Sequence, residues 1–371
     1  MSSLPFWVKS LKASLLAAGM LGILALPLPA CSVNHTASSE QPAAAQRTMA
    51  TPAPAPIVLA QATPPAKPLA GAGVNGFIDE MVAKHGFDRA ELTRLFAQIE
   101  ERDDIIAKIS RPAERTKAWY EYRAIFLDQA RIDGGVQFWR DHQATLARAT
   151  QQYGVPAEII VAIIGVETRY GRITGKDPVL EALATLAFSY PKRAPFFRQE
   201  LEHYLILTRD EGIDPLSLTG SYAGAMGLAQ FMPSSYRAYA VDFDGDGHRD
   251  LWRNPVDAIG SVANYLAAHG WRAGEVIVTP AQVQGDGYKG LLSRELKPAW
   301  SLQQLAQAGV TPSRNVGNPG DSILLELEVQ SGLEYWLGFT NFYVITRYNH
   351  SRLYAMAVYQ LSQAIRQGIA G

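Results

Sequence analysis

The chain has 371 residues, of which 47% are hydrophobic and 19% are charged, and its formal net charge is -1. This length fits two or three domains or one elaborated core. The balanced charge argues against electrostatic recruitment to nucleic acid or to acidic lipid. The seven Trp and sixteen Tyr residues suit either stacking on sugar rings or a well-packed core.

The N-terminal segment has the order of features expected of a secretory signal. Lys9 and Lys12 precede an apolar stretch over residues 15–28, and small residues follow it. The apolar stretch is too short to predict a membrane-spanning helix. A basic start, an apolar core and small residues predict export from the cytoplasm instead.

Cys31 is the single cysteine of the sequence, so an intramolecular disulfide is excluded. Its position directly after Pro29 and Ala30 resembles a bacterial lipobox, in which the thiol is acylated and the cysteine becomes the new N-terminus. Residues 1–31 are therefore predicted to be a lipoprotein signal peptide. Ser32, rather than an aspartate, follows the cysteine, and by resemblance to such lipoproteins this favours the periplasmic face of the outer membrane. Pro29 is unusual in a lipobox, which leaves ordinary cleavage near Ala30 and a soluble periplasmic protein as the alternative.

Residues 32–75 are rich in alanine and proline and predict an extended, disordered tether. The folded part is expected to begin near Gly76 with a helical domain over residues 76–153. Within it, Asp88 followed by Glu91 resembles a capping box at the start of an amphipathic helix.

Glu167 is the most informative residue of the chain, because it ends a strongly apolar helix. Together with the isoleucines three, four and seven positions before it, it lies on one helix face. Desolvation there, and the macrodipole at the helix C-terminus, would raise the pKa of its carboxyl and favour the protonated form that a general acid needs. The alternative on this pattern alone is a buried glutamate paired with Arg169, Arg172 or another base.

The remaining patterns predict a mainly α fold of the α+β type. A catalytic core is expected over residues 154–272, with Pro156 suited to the first turn of the Glu167 helix. β-branched runs and turn signals predict a small β-rich insert over residues 273–340. Residues 341–371 are expected to complete the core, with Ser351 starting the last helix.

The segment from Ser221 to Ser234 is rich in glycine and alanine, which permits close approach by a neighbouring helix or by a ligand. Gln230 offers a donor and an acceptor beside Phe231 and Met232, a combination that suits N-acetyl sugars. Tight helix packing is the alternative interpretation.

An acidic loop follows this segment. Asp242, Asp244 and Asp246, with Gly247 in the sixth position, match the start of an EF-hand loop, in which oxygen donors converge on Ca²⁺. His248 would contribute its backbone carbonyl. An empty Asx-turn loop is the alternative, but repulsion among the close carboxylates favours a structural calcium ion.

The far end of this loop departs from the EF-hand pattern. Arg253 occupies the position of the bidentate glutamate, whereas Asp257 would close a longer loop. Asp257 is also expected to cap the helix that follows.

A third polar cluster runs from Arg347 to Tyr354, where aromatic residues at a helix start could line a pocket or form a cap above core tyrosines. His350 could act in catalysis, although a single histidine beside a cap is more often structural. The sequence contains no Ser/His/Asp signature, zinc-type cluster or phosphate-binding loop.

Taken in order, residues 165–171, the 221–234 segment, the acidic loop and Tyr348-Asn349-His350-Ser351 resemble the motifs of family 3 lytic transglycosylases. The resemblance covers roughly residues 77–371. It implies a lysozyme-like helical catalytic core, preceded by the N-terminal helical domain and interrupted by the β-rich insert.

The resemblance also implies roles at individual positions. The catalytic acid falls on Glu167, and Lys192 and Arg193 lie near the peptide side of the substrate. The sugar-contacting positions are Ser221, Gln230, Tyr265, Tyr348, Asn349 and Tyr354. The calcium ligands are Asp242, Asp244, Asp246, His248 and Asp257, in a loop that is one residue longer before its last ligand than in the family.

The reaction implied is cleavage of the β-1,4 bond between N-acetylmuramic acid (MurNAc) and N-acetylglucosamine (GlcNAc) in peptidoglycan, with closure of a 1,6-anhydro ring on MurNAc. Glycosidases usually use two carboxylates. No second carboxylate stands out in the sequence, which agrees with one glutamate acting as acid and then as base. No organic cofactor is expected.

Two alternative functions stay open on the sequence alone. One is a hydrolytic muramidase with the same fold and acid, and the other is a non-catalytic lipoprotein that binds peptidoglycan. The partners expected are peptidoglycan glycan strands, a membrane through the lipid anchor, and peptidoglycan synthases that would dock on the β-rich insert. No nucleic-acid partner is expected.

Overall fold

The computed structural model describes residues 69, 71–110, 117–293 and 295–371. The predicted signal peptide, with Cys31, and most of the predicted tether lie outside the described residues. Helix α1 spans Gly71–His85, so the prediction that folding begins near Gly76 was wrong by about one helical turn. Val74 is already buried in the core, and the glycines around it obscured the start of the helix in the sequence.

The named elements of the N-terminal part are all helices. This part continues with α2 Arg89–Phe96, α3 Asp103–Ser110, α4 Trp119–Phe126, α5 Gln129–Asp141 and α6 Gln143–Tyr153. Asp88 caps α2 as predicted, because its carboxylate accepts the Glu91 N–H at 2.7 Å. None of the helices among the described residues combines the length and the apolar character needed to cross a membrane.

The central part contains five helices and a short two-stranded ladder. These elements are α7 Ala157–Thr168, β1 Asp177–Pro178, α8 Val179–Ser189, α9 Ala194–Asp210, β2 Thr219–Gly220, α10 Pro233–Tyr239 and α11 Pro255–Ala268, with β1 antiparallel to β2. Pro156 occupies the N-cap of α7, one position before the first turn in which it was expected. Its carbonyl accepts the Ile159 N–H at 3.0 Å.

The predicted β-rich insert is an antiparallel four-stranded sheet with the strand order β4-β3-β6-β5. Its elements are β3 Val278–Val283, a 3-10 helix Gly287–Leu291, α12 Leu302–Gln307, β4 Val310–Pro312, β5 Ile323–Val329 and β6 Gly332–Gly338. One face encloses a small core of its own around Leu324 and Leu337, while Leu325 and Leu327 join the main core. The edge strand β5 packs near α4 of the N-terminal part, which limits the exposed edge of the sheet.

The chain then returns to the helical core through α13 Thr340–Tyr348 and α14 Arg352–Ala370. Ser351 caps α14 as predicted, with its hydroxyl accepting the Tyr354 N–H at 3.3 Å. Helix α14 packs against α4, α5 and α7, so the last helix closes the core around α7. The predicted mainly α fold with a small β-rich part is confirmed.

Helix α7 is the centre of this arrangement. Every residue from Ile159 to Val166 is buried, so the apolar surface extends around the whole helix and not along a single stripe. A helix that is apolar on all sides is typical of the interior of a large core. Helix α7 is therefore a rigid support for the residues at its C-terminal end.

The end of α7 depends on close packing between Gly165 and Tyr170. Tyr170 has a φ of 62°, which turns its ring back onto the helix, and its hydroxyl donates to the Arg131 carbonyl at 2.8 Å. That hydroxyl lies 2.5 Å from the position that a Cβ atom on Gly165 would occupy. A side chain at Gly165 would therefore displace the Tyr170 ring.

Gly165→Ala is expected to lower the free energy of unfolding by about 1–3 kcal/mol, the usual cost of overpacking a core. The gain in helix propensity, about 1 kcal/mol, offsets part of this cost. Gly76→Ala is the matched control, because this residue of α1 has open space around its Cβ position. Thermal unfolding followed by circular dichroism makes the comparison, and equal melting temperatures for the two variants would contradict the prediction.

Candidate active site

Glu167 lies in the last turn of α7 and is partly exposed, although the helix before it is buried. The helix ends because Arg169 and Tyr170 both adopt the left-handed conformation, with φ of 50° and 62°. The Thr168 hydroxyl lies 3.0 Å from the Leu228 carbonyl and accepts the Gly171 N–H at 3.0 Å. These contacts fix the end of α7 against the 221–234 segment.

Tyr354 is the residue that the structure places directly on Glu167. Its hydroxyl donates to Glu167 Oε1 at 2.8 Å, and the tyrosine itself is fully buried in α14. Burial, followed by the negative charge of Glu167, raises the pKa of Tyr354 well above its ordinary value. The hydroxyl therefore stays protonated and is a fixed donor to the carboxylate.

Two more of the predicted sugar-contacting tyrosines surround this pair. The Tyr348 hydroxyl donates to the Ala229 carbonyl at 2.5 Å and the Tyr265 hydroxyl donates to the Arg347 carbonyl at 2.7 Å. Their ring centroids are 4.8 Å apart. Burial above all, with a contribution from the charge of Glu167, raises the pKa of both tyrosines. Glu167 therefore lies among neutral aromatic side chains.

Tyr122 belongs to the same surroundings and was missed by the sequence analysis. Burial and the charge of Glu167 raise the pKa of Tyr122, and its buried hydroxyl has no hydrogen-bond partner among the described residues. In the sequence, Tyr122 lies three positions after Trp119 and four before Phe126. This spacing is typical of residues on the buried face of a helix, here α4. The N-terminal part of the chain thus contributes a polar group near Glu167.

Neighbouring chain segments, and not a ligand, occupy the space opened by two glycines of the 221–234 segment. A Cβ atom on Gly224 would lie 2.3 Å from the Leu183 side chain, and one on Gly227 would lie 2.2 Å from the Leu251 carbonyl. Both glycines have positive φ, 81° and 67°. For these glycines the tight-packing interpretation is confirmed.

Gln230 is held in a strained backbone conformation, with a φ of 49°. Its side-chain amide nitrogen donates to the carbonyls of Thr174, at 3.0 Å, and of Gly227, at 2.9 Å. Both amide hydrogens are therefore used, which orients the acceptor Oε1 away from these two carbonyls. Ser221 is likewise engaged, since its hydroxyl accepts the Ala225 N–H at 2.9 Å.

Asn349 lies between α13 and α14, next to Tyr348. It is only 4% exposed, and its Nδ2 has no hydrogen-bond partner among the described residues. An unsatisfied buried donor costs about 1–3 kcal/mol. This donor therefore points to a partner supplied from outside the chain.

Lys192 and Arg193 immediately precede α9. Lys192 is exposed, whereas the Arg193 guanidinium lies 4.4 Å from the centre of the Phe196 ring. Burial lowers the pKa of Arg193, and its Nε and Nη2 atoms have no hydrogen-bond partner among the described residues. Arg193 thus offers planar donors suited to a carboxylate.

Three of the predicted calcium ligands come together in the acidic loop. Carboxylate oxygens of Asp242, Asp244 and Asp257 all lie within 4.8 Å of one another. The two carboxylate oxygens of Asp257 accept the N–H groups of Phe243, at 2.7 Å, and Asp250, at 2.8 Å. Asp257 therefore joins the two ends of the loop.

The prediction that Asp257 caps α11 was wrong. Asn254 is the capping residue, with Oδ1 accepting the Val256 N–H at 3.0 Å, and Asp257 lies within the first turn. Asp246 lies outside the group of three carboxylates, and its side chain accepts the His248 N–H at 2.8 Å. The Asn254-Pro255 pair is itself a helix-start signal that could have corrected the prediction.

Comparisons with known proteins agree on one family. The transglycosylase SLT domain profile matches residues 70–363. Membrane-bound lytic murein transglycosylase B of Escherichia coli (strain K12) is 52% identical over 298 residues, which cover 78% of this chain and 81% of that protein.

Solved structures give the same result. Soluble lytic transglycosylase SltB1 from Pseudomonas aeruginosa has a TM-score of 0.77 and 52% identity, and the match covers 80% of this chain and 99% of that one. The Escherichia coli lytic transglycosylase Slt35 in complex with calcium has a TM-score of 0.76 and 50% identity, with 81% of this chain and 94% of that one covered.

Proposed function

The chain belongs to the transglycosylase SLT family, and we propose that it cleaves the MurNAc-GlcNAc bond of peptidoglycan with Glu167 as acid and then as base. The resemblance to lytic transglycosylases inferred from the sequence motifs is confirmed. The hydrogen bond from the buried Tyr354 hydroxyl to Glu167 Oε1, at 2.8 Å, is the observation that best supports Glu167 as the catalytic acid and base. It fixes Oε1 as an acceptor of the Tyr354 hydroxyl, and we assign the transferred proton to the Glu167 carboxyl group.

The first step breaks the bond between MurNAc C1 and the GlcNAc O4 atom. Glu167 donates its proton to O4, and the acetamido group of MurNAc stabilises the anomeric carbon while the leaving sugar departs. Glu167 is then a carboxylate, to which Tyr354 remains a donor.

The second step closes the anhydro ring. The Glu167 carboxylate takes the proton from the MurNAc C6 hydroxyl, and O6 forms a bond to C1. The proton given to O4 is thereby replaced, so Glu167 returns to its starting form and no water is consumed. An attacking group already on the substrate has a high effective concentration, which favours it over solvent water.

The groups around Glu167 match an N-acetyl sugar. The unpartnered Nδ2 of Asn349 is a donor for an acetamido carbonyl, and Oε1 of Gln230 is an acceptor for an acetamido N–H. The neutral, buried rings of Tyr265 and Tyr348 make the surroundings of this site apolar. Ser221 and Tyr122 complete the set of groups that we assign to sugar binding.

Mass spectrometry of the fragments released from purified sacculi tests the proposed reaction. We expect products one water lighter than hydrolytic fragments, with 1,6-anhydro-MurNAc ends. Reducing MurNAc ends would contradict ring closure and make the protein a muramidase. Binding without any release would make it a peptidoglycan-binding protein.

We also propose that the acidic loop binds a structural calcium ion. Asp242, Asp244 and Asp257 present a set of hard oxygen donors, as Ca²⁺ requires, and the solved relative Slt35 was crystallised with calcium. Asp246 and the His248 carbonyl would complete the ligands. Burial raises the pKa of Asp257, and a bound cation would favour its ionised form.

Calcium is expected to raise the melting temperature of the protein by about 5 °C over EDTA-treated protein, since a ligand at 100 times its Kd adds about 2.7 kcal/mol. Asp242→Asn should remove most of this shift. Asp321→Asn is the control, because it removes an exposed aspartate of the β-rich insert. Differential scanning calorimetry makes the comparison, and an equal shift in Asp242→Asn would contradict the calcium site.

The lipid anchor on Cys31 is a separate proposal that the lipobox-like sequence supports. The similar proteins include both a membrane-bound and a soluble one by name. Labelling of the full-length protein with radioactive palmitate in a bacterial host tests the anchor. We expect labelling of the wild type and none of Cys31→Ser, and an unlabelled wild type would favour the soluble periplasmic form.

A further inference from the structure

The loop over residues 171–176, which connects α7 to β1, has an unusual surface. Ile173 is 58% exposed, more than any other large hydrophobic residue that the structure shows as exposed in its described part. An isolated exposed apolar residue needs no explanation in general. Ile173 differs from such a residue because it lies beside the candidate active site and has charged neighbours in the same loop.

The loop lies beside the residues assigned to catalysis. The Ile173 N–H donates to the Thr168 carbonyl at 2.9 Å, which places it one turn beyond Glu167. The carbonyl of the next residue, Thr174, accepts from the Gln230 side chain at 3.0 Å. The loop therefore touches both the end of the Glu167 helix and a group assigned to sugar binding.

The exposure of Ile173 is not the result of a loose loop. Gly175 has a φ of 94°, and a Cβ atom on it would lie 2.0 Å from the Gly220 carbonyl oxygen. Two positions later, Asp177 pairs with Gly220 in the β1–β2 ladder. The backbone of the loop is thus held at both ends, which fixes the positions from which its side chains extend.

Two of these side chains are cations available to a ligand. Arg172 and Lys176 are exposed, and neither side chain has an ion-pair or hydrogen-bond partner among the described residues. In contrast, Arg169 in the same turn pairs with Asp128 at 3.1 Å. The loop therefore combines an apolar side chain with two unpaired positive charges.

We propose that the 171–176 loop binds the peptide that MurNAc carries, with Arg172 and Lys176 facing its carboxylates and Ile173 facing its aliphatic side chains. This inference rests on the proposed function. The MurNAc ring bears both the C1 atom that reacts beside Glu167 and the lactyl group from which the peptide extends. A peptide on that ring begins within one sugar unit of Glu167, and the loop, which adjoins the end of the Glu167 helix, would then be a determinant of specificity for peptide-bearing strands.

Co-sedimentation with purified sacculi tests the proposal, because binding does not depend on cleavage when Glu167→Gln protein is used. Its affinity is measured for peptide-bearing sacculi and for the same sacculi stripped of peptides by an amidase. Adding Arg172→Gln and Lys176→Gln should weaken binding to peptide-bearing sacculi about 3- to 10-fold, the range expected for two exposed ion pairs. Binding to stripped sacculi should stay unchanged, which also shows that the variant is folded.

Ile173→Ser should act in the same direction on peptide-bearing sacculi. Arg140→Gln, which removes an exposed cation from α5, is the matched control and should leave both affinities unchanged. Raising the salt concentration to about 0.5 M should reduce the effect of the two charge substitutions, since exposed charges are screened.

Equal affinities of the parent protein and the loop variants for peptide-bearing sacculi would overturn the proposal, as would an equal loss on both kinds of sacculi. Absence of cleavage by the wild-type protein would instead contradict the proposed function. The two failures are therefore distinguishable.

Discussion

Glu167→Gln is expected to lower the turnover of peptidoglycan strands by about 10⁴-fold, the upper end of the range for general acid–base catalysis. One residue supplies both the proton donor of the first step and the base of the second, so its loss affects both. Glutamine has nearly the same shape and can still accept the Tyr354 hydroxyl. Binding of sacculi should therefore be retained, and release of soluble fragments measures the loss.

Glu158→Gln is the matched control for this substitution. Glu158 lies in the first turn of α7 and pairs with Arg366 at 3.3 Å, so the same change in charge is made in the same helix. Its turnover should equal that of the wild type. A Glu167→Gln variant that releases fragments at the wild-type rate would exclude this residue as the acid.

Tyr354→Phe is expected to lower kcat by about 10- to 100-fold, because a hydrogen bond to a charged group contributes about 1.5–3 kcal/mol. The substitution removes only the hydroxyl that donates to Glu167 Oε1 and keeps the buried ring. The carboxylate formed after the first step then loses its fixed donor. Initial rates at saturating substrate measure the effect.

The pH dependence and a second variant separate this role from a structural one. Because burial and the Glu167 charge raise the pKa of Tyr354, the ratio of wild-type to variant rates should not decline as the pH approaches the ordinary tyrosine pKa of about 10. Tyr359→Phe removes a hydroxyl from a half-buried position of α14 and should have wild-type activity. Equal kcat values for Tyr354→Phe and Tyr359→Phe would show that the hydroxyl does not support catalysis.

Local signals in the sequence predicted the helix starts at Asp88 and Ser351, because a capping side chain bonds to backbone groups only a few residues away. The same reasoning failed at Asp257, whose carboxylate bonds to N–H groups 14 and 7 positions earlier in the chain. A carboxylate near a helix start has several uses, and its immediate neighbours in sequence do not distinguish them.

The environment of Glu167 was only partly predictable. Periodicity identified an apolar face that ends in a carboxylate, but the helix is buried on all sides because α5, α6, α11 and α14 surround it. The motif resemblance supplied Tyr354, which the residue pattern alone could not link to Glu167. Tyr122 lay outside the motifs and shares its helix with core aromatics, so nothing in the sequence marked it.

The hydrogen bond between Glu167 and Tyr354 joins residues 187 positions apart, which bears on the order in which the protein forms. Contacts of such long sequence separation carry a large loop-closure entropy and form late in folding. During synthesis, α7 is complete long before α14 exists. Glu167 and Tyr354 therefore come into contact only when α14 docks on α7. A nascent chain that does not yet include α14 contains Glu167 but lacks the complete active site.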